Sequence, residues 1–134
     1  MAGKIETTIK IYHNPRCRKS REGLAYLQSK TSNFQIVEYL KTGLAVDQIK
    51  EILLKANLKP FGLIRTQEAV YKNELKGRNF TDDEWIDIIV ENPVLLRRPI
   101  VVGKHKAILA QQAEEIDKLL CLPYKGGLVS ENNN

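Results

Sequence analysis

Thr7-Thr8-Ile9-Lys10-Ile11-Tyr12-His13-Asn14-Pro15-Arg16-Cys17-Arg18-Lys19-Ser20-Arg21 sets a cysteine between two kinds of hydrophobic periodicity. Thr7 to Tyr12 alternate and are rich in β-branched residues, which predicts a strand. His13-Asn14-Pro15 breaks it. From Cys17 onward, Leu24, Leu27 and the small Ala25 suit a helix that runs to about Ser29. After the polar turn from Ser29 to Asn33, Phe34-Gln35-Ile36-Val37-Glu38-Tyr39 alternates again and predicts a second strand. Strand, helix and strand in this order make a right-handed crossover and a parallel pair.

Further along, Val46, Ile49, Ile52, Leu53 and Ala56 share one helical face, and that helix stops before Pro60. A helical stretch is expected from Gln67 to Leu75, closed by Gly77. Thr81-Asp82-Asp83-Glu84 is a capping box opening a helix that carries Trp85, Ile88 and Ile89 inward and ends before Pro93. Pro99-Ile100-Val101-Val102, a Gly-Lys-His turn and Lys106-Ala107-Ile108-Leu109 predict a hairpin. Ala113, Ile116, Leu119 and Leu120 suggest a last helix. The order β-α-β, helices, β-β-α is an α/β arrangement: a thioredoxin-like fold with a four-stranded mixed sheet and an all-helical insert between strands 2 and 3. We expect one domain over 1–134, with its core in 7–39 and 97–122, the insert in 40–96, and a disordered tail over 125–134.

The 134 residues suffice to bury a core without disulfides or metal, and 43% hydrophobic with 28% charged residues is ordinary for a globular protein. The opening Met1-Ala2-Gly3-Lys4-Ile5-Glu6 is too polar for a signal peptide, and no apolar run reaches the roughly 20 residues of a membrane span. Two cysteines, Cys17 and Cys121, make no disulfide framework, so a reducing compartment and a cytoplasmic location are expected, with no membrane partner. The formal charge is +5, and the one dense basic run, Arg16 to Arg21, holds no aromatic residue. That argues against nucleic acid, which would call for interleaved stacking side chains, and favours a small anion near Cys17.

A cysteine at a helix start meets backbone N–H groups without partners, and Arg16, Arg18, Lys19 and Arg21 add positive charge, so thiolate is favoured. A thiol of pKa about 8.5 is about 3% ionised at pH 7, and one near 6.5 is roughly 75% ionised. That gain of roughly 25-fold is offset about 8-fold by lost nucleophilicity, leaving about threefold. So much charge is better explained by binding an anion and by making Cys17 a good leaving group. A plainer reading makes Cys17 a small buried side chain and the basic run a solvated helix face; the polar, turn-rich surroundings argue against it. Ser20 makes the motif C-x-x-S, which closes no local disulfide, so a redox cycle requires an outside thiol such as glutathione. No metal is expected, because His13 and Cys17 alone fall short of the three or four ligands of a zinc site. Cys121, in Leu119-Leu120-Cys121-Leu122, reads as a core residue more than as a resolving thiol.

Tyr12 to Arg21 resembles the active-site loop of the glutaredoxin-coupled arsenate reductases, and Leu96-Arg97-Arg98-Pro99-Ile100-Val101-Val102 is similar to that family's second hallmark. Leu63-Ile64-Arg65 with Tyr71, and Phe80-Thr81-Asp82-Asp83, also fit, so the resemblance runs from about Thr8 to Leu120. It implies that Cys17 attacks arsenate or a similar oxyanion, that glutathione attacks the adduct, and that glutaredoxin resets the enzyme. It further implies that Arg65 and Arg98 hold the oxyanion, that His13 tunes the thiol, that Ser20 hydrogen-bonds it, and that Pro99 is a cis-proline beside it. Asn14, Arg16 and Arg21 join Pro99 as expected substrate contacts. Arg97 is expected to face solvent; Arg65 as a surface helix residue and His13 as a satisfier of loop backbone stay open. The resemblance also places a third arginine where this chain has Ile108, with Lys104 or Lys106 as substitutes, implying weakened arsenate reduction. Two other functions share the fold: an Spx-like regulator that binds RNA polymerase, whose usual C-x-x-C is lost with Ser20, and a monothiol reductase of glutathione mixed disulfides.

Overall fold

The computed structural model describes residues 9–120. Four strands, β1 (Ile9–Tyr12), β2 (Phe34–Val37), β3 (Ile100–Val102) and β4 (Ala107–Leu109), form one sheet in the order β2-β1-β3-β4. β1 and β2 are parallel, joined by α1 (Arg18–Lys30), whereas β3 is antiparallel to both β1 and β4. This is the expected mixed sheet. Between β2 and β3 lie α2 (Tyr39–Thr42), α3 (Val46–Ala56), a 3-10 turn (Pro60–Leu63), a π-helical turn (Tyr71–Leu75), α4 (Asp82–Glu91) and a second 3-10 turn (Pro93–Leu95). A lone antiparallel bridge, Ile64 to Leu96, adds extended backbone to a stretch expected to be all helical.

The alternation of side chains along a strand divides the core into two faces. Tyr12, Ile100 and Val102 point toward the helices between β2 and β3 and pack with Tyr39, Ile49, Ile52, Leu63, Ile89 and Leu96. Ile11 and Val101 point the other way, onto Leu27 of α1 and Ile116. Gly23 lets α1 lie close on the sheet, since a Cβ there would stand 2.7 Å from Cγ of Pro99.

Several local expectations change. Tyr39 leaves the second strand and opens α2, because the chain turns at Glu38, whose ψ is 77°. The helix expected from Gln67 resolves into a turn and the π-helical Tyr71–Leu75, with Gly77 at φ +81° beyond it. In α4 the capping box forms as read, with the Thr81 side chain accepting from the Glu84 N–H and the Glu84 carboxylate accepting from the Thr81 N–H. Ile86 is buried beside Trp85 and Ile89, while Ile88 is only half-buried, because the buried face of α4 is rotated toward Ile86 from the one expected. The last helix is a 3-10 segment, Ala113–Lys118. Thr7, Thr8, Cys121 and the 125–134 tail lie outside the described residues.

Candidate active site

β1 and β2 end together, and the His13 N–H donates to the Val37 carbonyl at 2.9 Å, carrying the pairing one residue past β1. The following loop is built by its own polar groups. The Cys17 N–H donates to the Asn14 carbonyl at 3.0 Å, the Arg16 N–H to Asn14 Oδ1 at 3.0 Å, and the Asn14 N–H to Ser20 Oγ at 2.9 Å. Asn14, His13 and Ser20 are buried, whereas Pro15, Arg16, Arg18, Lys19 and Arg21 are exposed. Asn14 therefore builds the loop with its side-chain oxygen, and Arg21 braces it by donating to the Pro15 carbonyl at 3.0 Å.

Cys17 is the N-cap of α1, and the first turn holds basic residues and no acidic one. Cations at the positive end of a helix are unfavourable by a few tenths of a kcal/mol each, roughly, so local stability does not account for them. Burial pushes the Cys17 thiol up, but the Ser20 N–H, the Arg98 guanidinium and the Lys19 N–H outweigh it, and the net shift is downward. Ser20 acts on the sulfur through its backbone, not through its hydroxyl. That hydroxyl lies 2.7 Å from His13 Nδ1. Burial lowers the His13 pKa, and the Ser20 hydroxyl oxygen also accepts from the Asn14 N–H.

Arg98 is half-buried, precedes Pro99 across a cis bond as expected, and reaches Cys17 from the start of β3. Arg65 comes to the same region but is half-buried and held by Glu68, to which its Nε donates at 2.9 Å. Arg97 does not face solvent: it is half-buried and donates to the Gly62 carbonyl at 3.2 Å, as the Ile64–Leu96 bridge draws it inward. Ile108 is not at the site. It opposes Val101 in mid-hairpin and packs with Ile11, Leu27 and Val101 under α1. Lys104 and Lys106 lie in the turn at the other end of the hairpin, about 10 Å of strand from Pro99. Ile108 is therefore not a position from which an arginine could hold the oxyanion, and its identity does not weaken the site. The residues that do reach the Pro99 end are those after β4, where the Ala110 N–H donates to the Pro99 carbonyl at 3.0 Å.

One residue near the sulfur escaped the sequence reading. Tyr39 is fully buried, and Arg98, Cys17 and Arg65 all act electrostatically on its hydroxyl, although burial dominates and raises its pKa. The sequence pattern placed it at the end of the second strand, and the turn at Glu38 that aims it inward was not legible. Among the described residues, no group of three His, Cys, Asp or Glu side chains is placed to hold a metal ion, and no helix is long and apolar enough to cross a membrane.

A cysteine on a helix N-terminus, beside an arginine and a cis-proline, is equipped for thiolate chemistry on an anion, and known proteins share the whole frame. The model of the ArsC family matches residues 12–119. An arsenate reductase of Neisseria meningitidis is 36% identical over 114 residues, covering 84% of this chain and 97% of that protein. The arsenate reductase of Escherichia coli K12 is 30% identical over 127 residues, covering 94% and 90%. The solved arsenate reductase from Vibrio cholerae superposes with a TM-score of 0.78 at 32% identity, covering 84% and 97%. With the match spanning the sheet, the cysteine loop and the Arg98–Pro99 turn, the chain belongs to the ArsC family, with its thioredoxin-like fold.

Proposed function

We propose that this protein reduces arsenate, with Cys17 as the nucleophile. The observation that carries this reading is the convergence of the α1 N-terminus and the Arg98 guanidinium on the Cys17 sulfur, where together they hold its pKa down against burial. The thiolate attacks arsenic and water leaves, forming a sulfur–arsenic bond. Glutathione then adds to arsenic with loss of a second water. A glutaredoxin thiolate attacks the glutathione sulfur, the pair departs as a mixed disulfide, and two electrons remain on arsenic. Water finally releases arsenite and restores Cys17. Arg98, a planar fork of donors, suits the oxyanion, and Arg65 supports it once its bond to Glu68 rearranges. The names of the relatives support arsenate as the substrate, and the C-x-x-S loop supports an outside thiol as reductant.

The test is arsenate-dependent consumption of NADPH with glutathione, glutaredoxin and glutathione reductase supplied. Turnover is expected, abolished by Cys17→Ser and reduced at least tenfold by Arg98→Ala. Absence of arsenate turnover, with reduction of a glutathione mixed disulfide intact, would overturn the reading in favour of a monothiol reductase.

A further inference from the structure

The parallel pair β1–β2 brings Tyr39 to the same end of the sheet as the cysteine loop, and the turn at Glu38 aims its ring inward until it is fully buried. Its hydroxyl has no hydrogen-bond partner among the described residues, and neither has the buried Nε of Arg98. The Arg98 guanidinium faces the phenol oxygen, where its charge and its N–H groups both act on it, although no bond of full hydrogen-bonding geometry joins the two. Most buried polar groups are partnered, because a buried donor left unpaired is costly. Phenylalanine would fill the same space without that cost, so packing does not explain the hydroxyl. Other donors and acceptors around the sulfur are already engaged: the Ser20 hydroxyl with His13 and Asn14, the Asn14 side-chain oxygen with Arg16, and Arg65 Nε with Glu68.

We propose that Tyr39 is a substrate-positioning residue, its phenol O–H donating to a non-reacting oxygen of the oxyanion while Arg98 carries the countercharge. This rests on the oxyanion reading above. Burial keeps the phenol protonated, so it remains a donor at neutral pH. A tetrahedral oxyanion presents several oxygens at once, and one arginine fork cannot meet all of them. A neutral donor set beside the fork fixes the rotation of the anion, which determines the face turned to the sulfur.

The test uses Tyr39→Phe. Arsenate binding is read from protection of Cys17 against iodoacetamide, and the thiol from the pH dependence of alkylation without arsenate. We expect an unchanged thiol profile, a Tm no lower than that of the parent, and arsenate protection weakened about tenfold. Equal protection of the variant and parent proteins would overturn the assignment and leave the proposed function standing. A shifted thiol profile with unchanged protection would also overturn it, giving the phenol to the sulfur instead. No protection of the parent protein would remove both readings. If the phenylalanine variant does not fold, fluorotyrosine incorporated at position 39 decides: the stronger donor tightens protection, and an unchanged constant overturns the proposal.

Discussion

At the scale of single residues, the thiol is governed by groups that never bond to it through their side-chain oxygens. His13, Ser20 and Asn14 form a buried chain of hydrogen bonds that holds the loop so that the Lys19 and Ser20 N–H groups face sulfur. Ser20→Ala leaves His13 Nδ1 and the Asn14 N–H buried without a partner. It is expected to destabilise the protein by about 1–3 kcal/mol in urea denaturation and to raise the Cys17 pKa. The thiol itself gives a kinetic prediction. Its alkylation rate at Cys17 follows the thiolate fraction, so the pH midpoint lies below that of an ordinary thiol. Arg98→Ala moves that midpoint upward, and mass spectrometry of iodoacetamide-treated protein at pH 7 shows Cys17 labelled faster than Cys121. Comparable labelling of the two in the native protein would remove the basis for Cys17 as the nucleophile.

Among elements, the contact of α1 with the start of β3 ties the fold to the chemistry. The first presents the sulfur and the second presents Arg98, and Gly23 lets them meet at Pro99. Gly23→Ala would place a methyl 2.7 Å from Pro99 Cγ, so the helix or the proline must shift. A helical alanine ordinarily stabilises by up to about 1 kcal/mol over glycine, but overpacking of this kind costs about 1–3 kcal/mol. We expect a net loss in the urea midpoint together with an upward shift of the Cys17 profile as Arg98 is displaced. A gain in stability with an unshifted profile would show that α1 is free to slide. The capping box of α4 and the hairpin were readable in the chain because each is encoded within a few consecutive residues. The orientation of Arg97 was not, because it depends on a bridge between Ile64 and Leu96.

Over the whole molecule, a half-buried set of charges joins the sheet to the helices stacked on it. Lys10 of β1 and Lys55 of α3 both donate to Glu51, at 3.0 and 2.9 Å, and Lys55 also donates to the Gly103 carbonyl beside the hairpin turn at 2.8 Å. Burial raises the Glu51 pKa, but the two lysines outweigh it and the net shift is downward. A carboxylate held below its unfolded pKa contributes stability that is complete above the ordinary carboxylate range and is lost as pH falls through the lowered value. Urea midpoints measured down that range should therefore fall in the parent protein and fall less in Glu51→Gln. Equal slopes would mean that other carboxylates carry the acid dependence.

The amino-acid sequence by itself determined the order of elements, the cysteine at the head of the first helix, and the Arg98–Pro99 turn. Each of these is written in local periodicity, turn residues or short motifs, which act over a few bonds of chain. Only the tertiary structure decided that Tyr39 turns inward beside Cys17, that Glu68 holds Arg65, and that Ile108 packs under α1 away from the site. The placements of Tyr39 and Ile108 follow from strand register and from which strand ends coincide in space, and that of Arg65 from the turn after the Ile64–Leu96 bridge, which sets it beside Glu68. A one-residue change of register reverses the face of every side chain on a strand, and no local pattern around Ile108 records its pairing with Val101.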